Sequence, residues 1–360
     1  MIAKLGDVCT VVSGSTPKST VSEYWDGDIK WITPAELDDD SYIISDSVRH
    51  ITALGVTKTG LKPFPAGTVI LSSRAPIGKT AIAGCEMYCN QGFKNLICSD
   101  KIDSKYLYFF LSSKTDYLNS LGRGATFKEV SKIIVENIEI PLPEIAEQKA
   151  IATCFEKLML LIKMRKAELG ELDKLVKSRF IELFGDPVIN PKGFPCYTVG
   201  EVIDFQGGSQ PDKKFFEYEA SPDNIRLIQI RDYKSDKYIT YIPKTMAKRF
   251  CTADDIMIGR YGPPIFQILK GIEGSFNVAL MKATPKMGNR EFIRQFLKQD
   301  CLLEYLEGLS KRTAGQDGIQ MDKLKAYPFP YPPMELQEQF AAFVEQTDKS
   351  KLCGEMEVAA

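Results

Sequence analysis

The feature that most constrains this chain is that it says nearly the same thing twice. "LGDVCTVVSGSTP" (5–17) aligns with "VGEVIDFQGGSQP" (199–211), keeping Gly6 with Gly200, Val8 with Val202, Gly14 with Gly208, Ser15 with Ser209 and Pro17 with Pro211. Downstream, "GTVILSSR" ending at Arg74 aligns with "ADDIMIGR" ending at Arg260, Asn90 falls opposite Asn277, and "YLYFFL" ending at Leu111 opposite "FIRQFL" ending at Leu297. Each copy then closes on a proline-flanked strand and a helix that opens on Glu-Gln: "IPLPEIAEQKAIA" (140–152) and "YPPMELQEQFAAF" (331–343). Offsets of 194 and 186 residues between Gly14 and Gly208 and between Arg74 and Arg260 are too long for a solenoid period. The repeat unit is a globular domain plus a helix, and 360 residues suffice for two such domains, each with its own core.

Within each copy, short runs such as "TVIL" (68–71), "IIVENIEI" (133–140) and "IRLIQI" (225–230) sit between Gly, Pro, Asp and Ser clusters, which predicts short strands joined by long surface loops. A helix is expected over 104–121 and another over 290–309. Their apolar positions Tyr106, Phe109, Phe110 and Tyr117, and Phe292, Phe296, Leu303 and Leu306, are expected to face the core. The connecting helix carries the clearest periodicity. Ile151, Phe155, Leu158, Ile162, Arg165, Leu169, Leu172, Val176, Arg179 and Leu183 follow the alternation of a helix packed along another helix, with the two arginines interrupting the seam. Pro143 precedes it and "GDP" (185–187) stops it. About 40 residues at 1.5 Å each make a rod of roughly 60 Å. Its partner within the chain is expected to be the helix from 334, with Leu336, Phe340 and Phe343 in matching register. That second helix is shorter, its heptad fades after Val344, and the rod is expected to be only partly paired.

No apolar run approaches the roughly 18 residues needed to cross a bilayer, and the N-terminus lacks the pattern of a secretory leader, so the expected location is the cytoplasm. Nine scattered cysteines and a single histidine, His50, offer neither a zinc site nor a disulfide framework. Net charge is −1 overall, divided as −1 over 1–143, +1 over 144–184, +3 over 185–333 and −4 over the tail, so any basic face has to be local. Catalysis has no visible seat. "APIGKT" (75–80) imitates the end of a phosphate-binding loop, but Ser73 stands where GxxxxGK[ST] needs glycine and Pro76 interrupts it. "YGPP" (261–264) lacks the acid or amide that would hold a flipped adenine, and His50 has no partner for nucleophilic or metal chemistry. No cofactor is expected.

Taken in order, "LGDVCTVVSGSTP", "NIEIPLPEIAEQKAI", "LFGDPVINPKGFP" and "PFPYPPMELQEQFAAFVEQ" make the chain resemble, over nearly its whole length, the DNA-specificity (S) subunit of type I restriction-modification systems. The resemblance implies an α+β fold: two similar globular α/β target-recognition domains separated by long helices that pair as an antiparallel coiled coil. On that plan 1–143 is the first target-recognition domain, 144–184 the central spacer helix, 185–333 the second domain and 334–360 a short C-terminal helix. It implies a non-catalytic subunit in which each domain reads half of a bipartite site on double-stranded DNA. It also implies that the helices fix the unread spacer, that methyltransferase (M) subunits dock on them, and that restriction/translocase (R) subunits join for cleavage.

Phosphates call for Lys and Arg in loops, and base edges for Arg, Lys, Asn or Gln in the major groove. Loops of that composition recur at equivalent places in the two copies. They nominate Lys18, Arg74, Lys79, Asn90, Lys94, Arg123, Thr126 and Lys128 in the first, and Arg231, Arg260, Tyr261, Lys311, Arg312 and Gln316 in the second. Two other readings stand beside this one: a coiled-coil scaffold whose globular copies bind protein, and the specificity subunit of a related system with methyltransferase and nuclease fused in one partner.

Overall fold

The computed structural model describes residues 1–74, 76–124, 128–261, 265–310 and 319–359, without the side chains of 309–310 and 353–359. Two compact units form, Met1–Lys163 and Met164–Ala360, dividing inside one long helix.

In the first unit β1 (Ile2–Lys4) leads through one helical turn, α1 (Leu5–Val8), into β2 (Cys9–Ser13). Next come β3 (Trp25–Ile32), β4 (Ile43–Ile44), β5 (Arg49–Ile51), α2 (Ala53–Thr59), β6 (Val69–Leu71), β7 (Thr80–Ala83), β8 (Tyr88–Cys89) and β9 (Lys94–Cys98). After α3 (Ser104–Ser112), α4 (Thr115–Leu121) and α5 (Lys132–Glu136), β10 (Glu139–Pro141) returns to pair with β1, and α6 (Ile145–Phe184) begins. The main sheet has the order β2-β9-β6-β7-β4, and a smaller one the order β5-β3-β8 with β3 and β8 parallel.

The second unit rebuilds this plan from a different sequence. It contains β11 (Cys196–Thr198), α7 (Val199–Val202), β12 (Ile203–Gly207), β13 (Asn224–Ile228), β14 (Tyr241–Pro243), β15 (Phe250–Cys251), β16 (Ile256–Gly259), β17 (Gln267–Lys270), β18 (Gly274–Phe276) and β19 (Leu280–Pro285). Then follow α8 (Arg290–Leu297), α9 (Asp300–Ser310), α10 (Met321–Ala326), β20 (Pro328–Pro330) and α11 (Met334–Ala359). Its main sheet runs β12-β19-β16-β17, β13 and β18 are parallel, and β20 returns to pair with β11. The sequence repeat is therefore a repeat of topology, and the matched glycines explain why. A Cβ on Gly14 would stand 1.9 Å from the Cys89 carbonyl oxygen, and one on Gly208 the same 1.9 Å from that of Asn277. At both places two backbones pass too close for any side chain.

One glutamine at each helix start has a structural reason: Gln148 of the first Glu-Gln pair, and Gln337, which directly precedes the second pair, Glu338-Gln339. Gln148 and Gln337 are fully buried. The Oε1 of Gln148 accepts the Asp103 backbone N–H (2.9 Å), while its Nε2 donates to the carbonyls of Lys101 (3.0 Å) and Pro143 (2.8 Å). Gln337 accepts the Asn289 N–H (2.8 Å) and donates to the Pro332 carbonyl (2.8 Å). Asp103 and Asn289 are themselves the N-caps of α3 and α8, each accepting two N–H groups of the first turn.

Three expectations need correction. The helix read over 104–121 is broken at Ser113–Lys114 and the one over 290–309 at Lys298–Gln299. Beyond the first break Tyr117 is 48% exposed rather than core, whereas Tyr106, Phe292, Phe296 and Leu306 are buried and Phe109, Phe110 and Leu303 pack partly buried. "IIVENIEI" is not one strand: the Ser131 hydroxyl caps the N–H of Ile134 and starts α5, and only its end is β10. A cap and tertiary packing outweigh the β preference of isoleucine and valine.

Along the long helix the paired stretch lies in the second unit. Phe180 and Phe184 meet Phe340 at 5.6 and 5.3 Å between ring centroids, Arg179 lies over the Phe343 ring, and Asp173 bonds Lys351 at 2.6 Å. Numbers fall on α6 as they rise on α11, so the pair is antiparallel. Phe292 of α8 completes the aromatic cluster, stacked on Phe180 at 5.7 Å. The buried stripe is Val176, Phe180 and Phe184, with Leu183 only partly covered, so the contact has moved one position from the heptad reading. A straight helix drifts from a strict seven-residue repeat, and the large rings take the inner places. Leu169 and Leu172 are half-buried, and Leu336, Phe340 and Phe343 join the core of this unit. Asp348 of α11 ties the helix further, to Lys270 (2.8 Å) and Arg294 (3.6 Å). In the first unit Ile151 packs on the core and Ile162 is half-buried, but Phe155, stacked on Phe109 at 5.2 Å, and Leu158 stay largely in solvent.

Candidate nucleic-acid interface

In the first unit four loops meet at the ends of the main-sheet strands. The Ser15 N–H bonds the Cys89 carbonyl (3.1 Å), the Ser73 N–H the Gly92 carbonyl (2.8 Å), and the Val130 N–H the Ser73 carbonyl (2.9 Å). Lys18, Arg74, Lys79, Asn90, Arg123 and Lys128 are thereby carried on one connected set of loops. The two tryptophans anchor its first member. Trp25 Nε1 donates to the Lys18 carbonyl (3.2 Å) and Trp31 Nε1 to that of Ser15 (3.0 Å). The rings meet edge to face at 5.1 Å, with the Arg49 guanidinium 3.6 Å above Trp25.

"APIGKT" (75–80), which imitates a phosphate loop, falls in the connection between β6 and β7, which pair antiparallel; Ala75 lies outside the described residues. Ser72 Oγ donates to the Pro76 carbonyl (2.6 Å) and accepts the Lys79 N–H (2.9 Å). Lys79 and Thr80 run into a strand, so the loop does not lead into a helix as a phosphate-binding loop does; α4 instead begins against it, the Thr115 hydroxyl donating to the Gly78 carbonyl (3.4 Å).

One acid, Glu129, serves several of these cations. Glu129 bonds Lys94 Nζ at 2.9 Å and stands 3.9 Å from Arg74 Nη1, while its backbone pairs with that of Arg123. Lys94 is only 6% exposed, and its ammonium points inward to Glu129 and the Ser73 hydroxyl. It braces the loops from below. Arg74 and Lys79 are half-exposed, Lys79 within 3.3 Å of Asp39, and Lys18, Arg123 and Lys128 are exposed. Asn90 is half-exposed and its Oδ1 accepts the Gly92 N–H (2.8 Å), which leaves its amide nitrogen for other work. Thr126 lies outside the described residues.

The second unit brings equivalent loops together by equivalent bonds. The Ser209 N–H reaches the Phe276 carbonyl (3.1 Å), the Asn277 N–H that of Ile228 (3.0 Å) and the Arg260 N–H that of Ala279 (2.9 Å). Arg260 follows β16 as Arg74 follows β6, and its guanidinium lies 5.3 Å from the ring centre of exposed Tyr261. Arg231 is exposed, donating to Thr240 Oγ1 (3.0 Å). Beside it, burial pushes the Asp232 carboxyl up, against the opposing pull of the Gln229 N–H and the guanidinia of Arg226 and Arg231. Lys311, Arg312 and Gln316 lie outside the described residues.

Sequence reasoning did not single out Glu129, Trp25 or Trp31. The only signal for the tryptophans is that both in the chain fall within seven residues of one another; for Glu129 there is none, since its role depends on β9 bringing Lys94 beneath it.

A family model described as "Type I restriction modification DNA specificity domain" matches residues 1–174 and 191–353. The specificity subunit of the MjaIX type I restriction enzyme of Methanocaldococcus jannaschii is 34% identical over 273 residues, 66% of this chain and 63% of that protein; the match thus spans under two thirds of this relative's length. Among solved structures, the type I restriction-modification S subunit from M. genitalium is similar over 100% of this chain and 92% of that one, with a TM-score of 0.55 at 15% identity. A chain from a structure concerned with complex assembly and conformational transition of the type I R-M system is similar over the same shares, with a TM-score of 0.59 at 19% identity. At these identities the likeness concerns the fold.

Proposed function

Because the chain belongs to the type I restriction-modification DNA specificity family, we propose that it is the subunit that reads DNA for such a system and performs no chemistry itself. In this reading residues 1–143 and 185–333 are the two target-recognition domains, each reading one half of a bipartite site. Residues 144–184 and 334–360 form the spacer that holds them and receives methyltransferase subunits, with restriction subunits joining when DNA is cut. The complex works on DNA in the cytoplasm; among the described residues no helix is long and apolar enough to cross a membrane.

The observation that carries this reading is the duplication of one loop set on one strand order. Arg74 follows β6 and Arg260 follows β16 in the same strand order, and two loop bonds recur, Ser15 to Cys89 as Ser209 to Phe276 and Asn90 to Ile32 as Asn277 to Ile228. A half-site reader built twice needs this. Lys18, Lys79, Arg123 and Lys128 are the first unit's further cations for phosphate, and Asn90 its amide for a base edge; Arg231 and Tyr261 serve the second with Arg260. Lys94 drops to a supporting role.

The test is a map of N6-methyladenine across the genome of the source cell, with and without the gene. Loss of one two-part motif with a fixed unread gap supports the proposal. If the map is unchanged and the purified chain's DNA binding is insensitive to salt, the proposal fails, since several phosphate contacts impose a steep salt dependence.

A further inference from the structure

Buried side-chain amides are costly unless every polar atom is matched, so a fully buried glutamine near the start of a helix specifies one arrangement of its neighbours. Gln148 and Gln337 occupy equivalent places in the two copies, four residues into α6 and α11, and each accepts the backbone N–H of a residue that caps another helix. Those capped helices lead to the reading loops. In the first unit α3 packs on β6 and β7, the strands that bracket the Arg74 hairpin. In the second, Phe292 and Phe296 of α8 share a core with Ile256 and Ile258 of β16, whose next residue is Arg260. The room for the second amide is kept by Gly288, at φ +87°, where a Cβ would stand 3.0 Å from Gln337 Oε1.

We infer that Gln148 and Gln337 are positioning residues that set the angle at which each long helix leaves its reading domain, and through it the separation of the two half-sites. The inference rests on the specificity-subunit reading above. Its lever arm is long. A tilt of about 10° at the start of α6, 40 residues long, displaces a point about 60 Å along it by about 10 Å, near three base pairs of DNA rise, and over the 26 residues of α11, about 39 Å, by about 7 Å. Hydrophobic packing alone tolerates such a tilt by sliding. An amide clamped between an N–H and one or two carbonyls does not, because tilting strands buried polar groups.

The test uses the full chain with its own methyltransferase partner, and reads modified sites genome-wide for Gln148→Met and Gln337→Met, near-isosteric changes that remove donor and acceptor. The expected result is that both half-site sequences are kept while strictness for the gap relaxes. The ratio of modification at the natural gap to that at gaps one base pair longer or shorter should fall by at least about fivefold, the shift that losing one satisfied buried hydrogen bond permits. A merely structural role would lower modification at all sites in proportion and leave that ratio alone, and this outcome overturns the inference. Gln148→Glu and Gln337→Glu, which keep the acceptor for the capped N–H, give the same readout if the methionine variants do not fold. Failure of all four to fold would make the amides stability elements only and likewise overturn the inference. A wild-type map without any two-part motif would instead remove the specificity reading itself, so the two failures are distinguishable.

Discussion

Truncating Phe340 to alanine should cost the second unit far more than truncating Phe155 costs the first, although both phenylalanines lie on helix starts that the repeat makes equivalent. Phe340 has no exposed surface and touches Phe180 and Phe184 within a four-ring cluster. Deleting its ring leaves a cavity walled by three other rings on two helices that cannot all close in, and such Phe→Ala changes cost about 3–5 kcal/mol. Phe155 is 46% exposed and stacks on Phe109. About half of its apolar surface is at stake and no closed cavity results, so the loss is about 1 kcal/mol. In urea, with a slope of about 3 kcal/mol/M for a unit of this size, a loss of about 4 kcal/mol moves a midpoint down by about 1.3 M. Two compact units allow two transitions, so tryptophan fluorescence, which reports only the first unit through Trp25 and Trp31, should be followed beside circular dichroism. The Phe340→Ala transition should move in dichroism and not in fluorescence. Equal shifts for both variants, or a fluorescence shift with Phe340→Ala, would refute the picture of a helix seam covered in the second unit and open in the first.

Replacing Arg74 by alanine should weaken binding at one half-site and replacing Arg260 should weaken the other, each by about 1–3 kcal/mol, measured on duplexes with one half scrambled at a time. Gly14→Ala and Gly208→Ala each force a Cβ onto a carbonyl oxygen 1.9 Å away, which no rotamer relieves, so each should cost about 1–3 kcal/mol and silence its own half-site. Bonds from Lys105 (2.7 Å) and then Tyr42 (2.8 Å) outweigh burial and hold the Glu156 carboxyl below its ordinary 4.5. Its contribution is present above that value and lost as pH falls through the lowered one. The urea midpoint of the first unit should therefore drop in that acid range, and Glu156→Gln should remove part of the drop.

Much of the architecture could be read before any coordinates, because it rests on residues whose identity admits few conformations. Gly14 and Gly208 mark a close backbone approach, Arg74 and Arg260 mark the end of a strand, and the Glu-Gln pairs mark two helix starts. What escaped depends on distant partners. Nothing local distinguishes Gln148 from the solvated polar residues around it; it is buried because Asp103, 45 residues earlier, presents an unpaired N–H. Lys94 looks like a surface cation until Glu129 is brought over it. Ile133 and Ile134 favour a strand by propensity, and the Ser131 cap decides for a helix. On α6 the periodicity was legible but its phase was not, since four phenylalanine rings rather than the heptad choose which stripe is innermost.

The pairing of β1 with β10 and of β11 with β20 carries a consequence for how such a molecule changes over generations. Each globular copy is tied off at its neck by two short strands, Ile2–Lys4 with Glu139–Pro141 and Cys196–Thr198 with Pro328–Pro330. Everything between those strands is a cassette whose two ends lie side by side. A recombination event with both crossovers in the necks replaces an entire set of the loops proposed above to read DNA and returns the chain to the same place in the same direction, leaving the helices beyond undisturbed. On the proposed reading, new target preferences can then arrive whole from another gene instead of accumulating one substitution at a time, and the two cassettes can be exchanged independently.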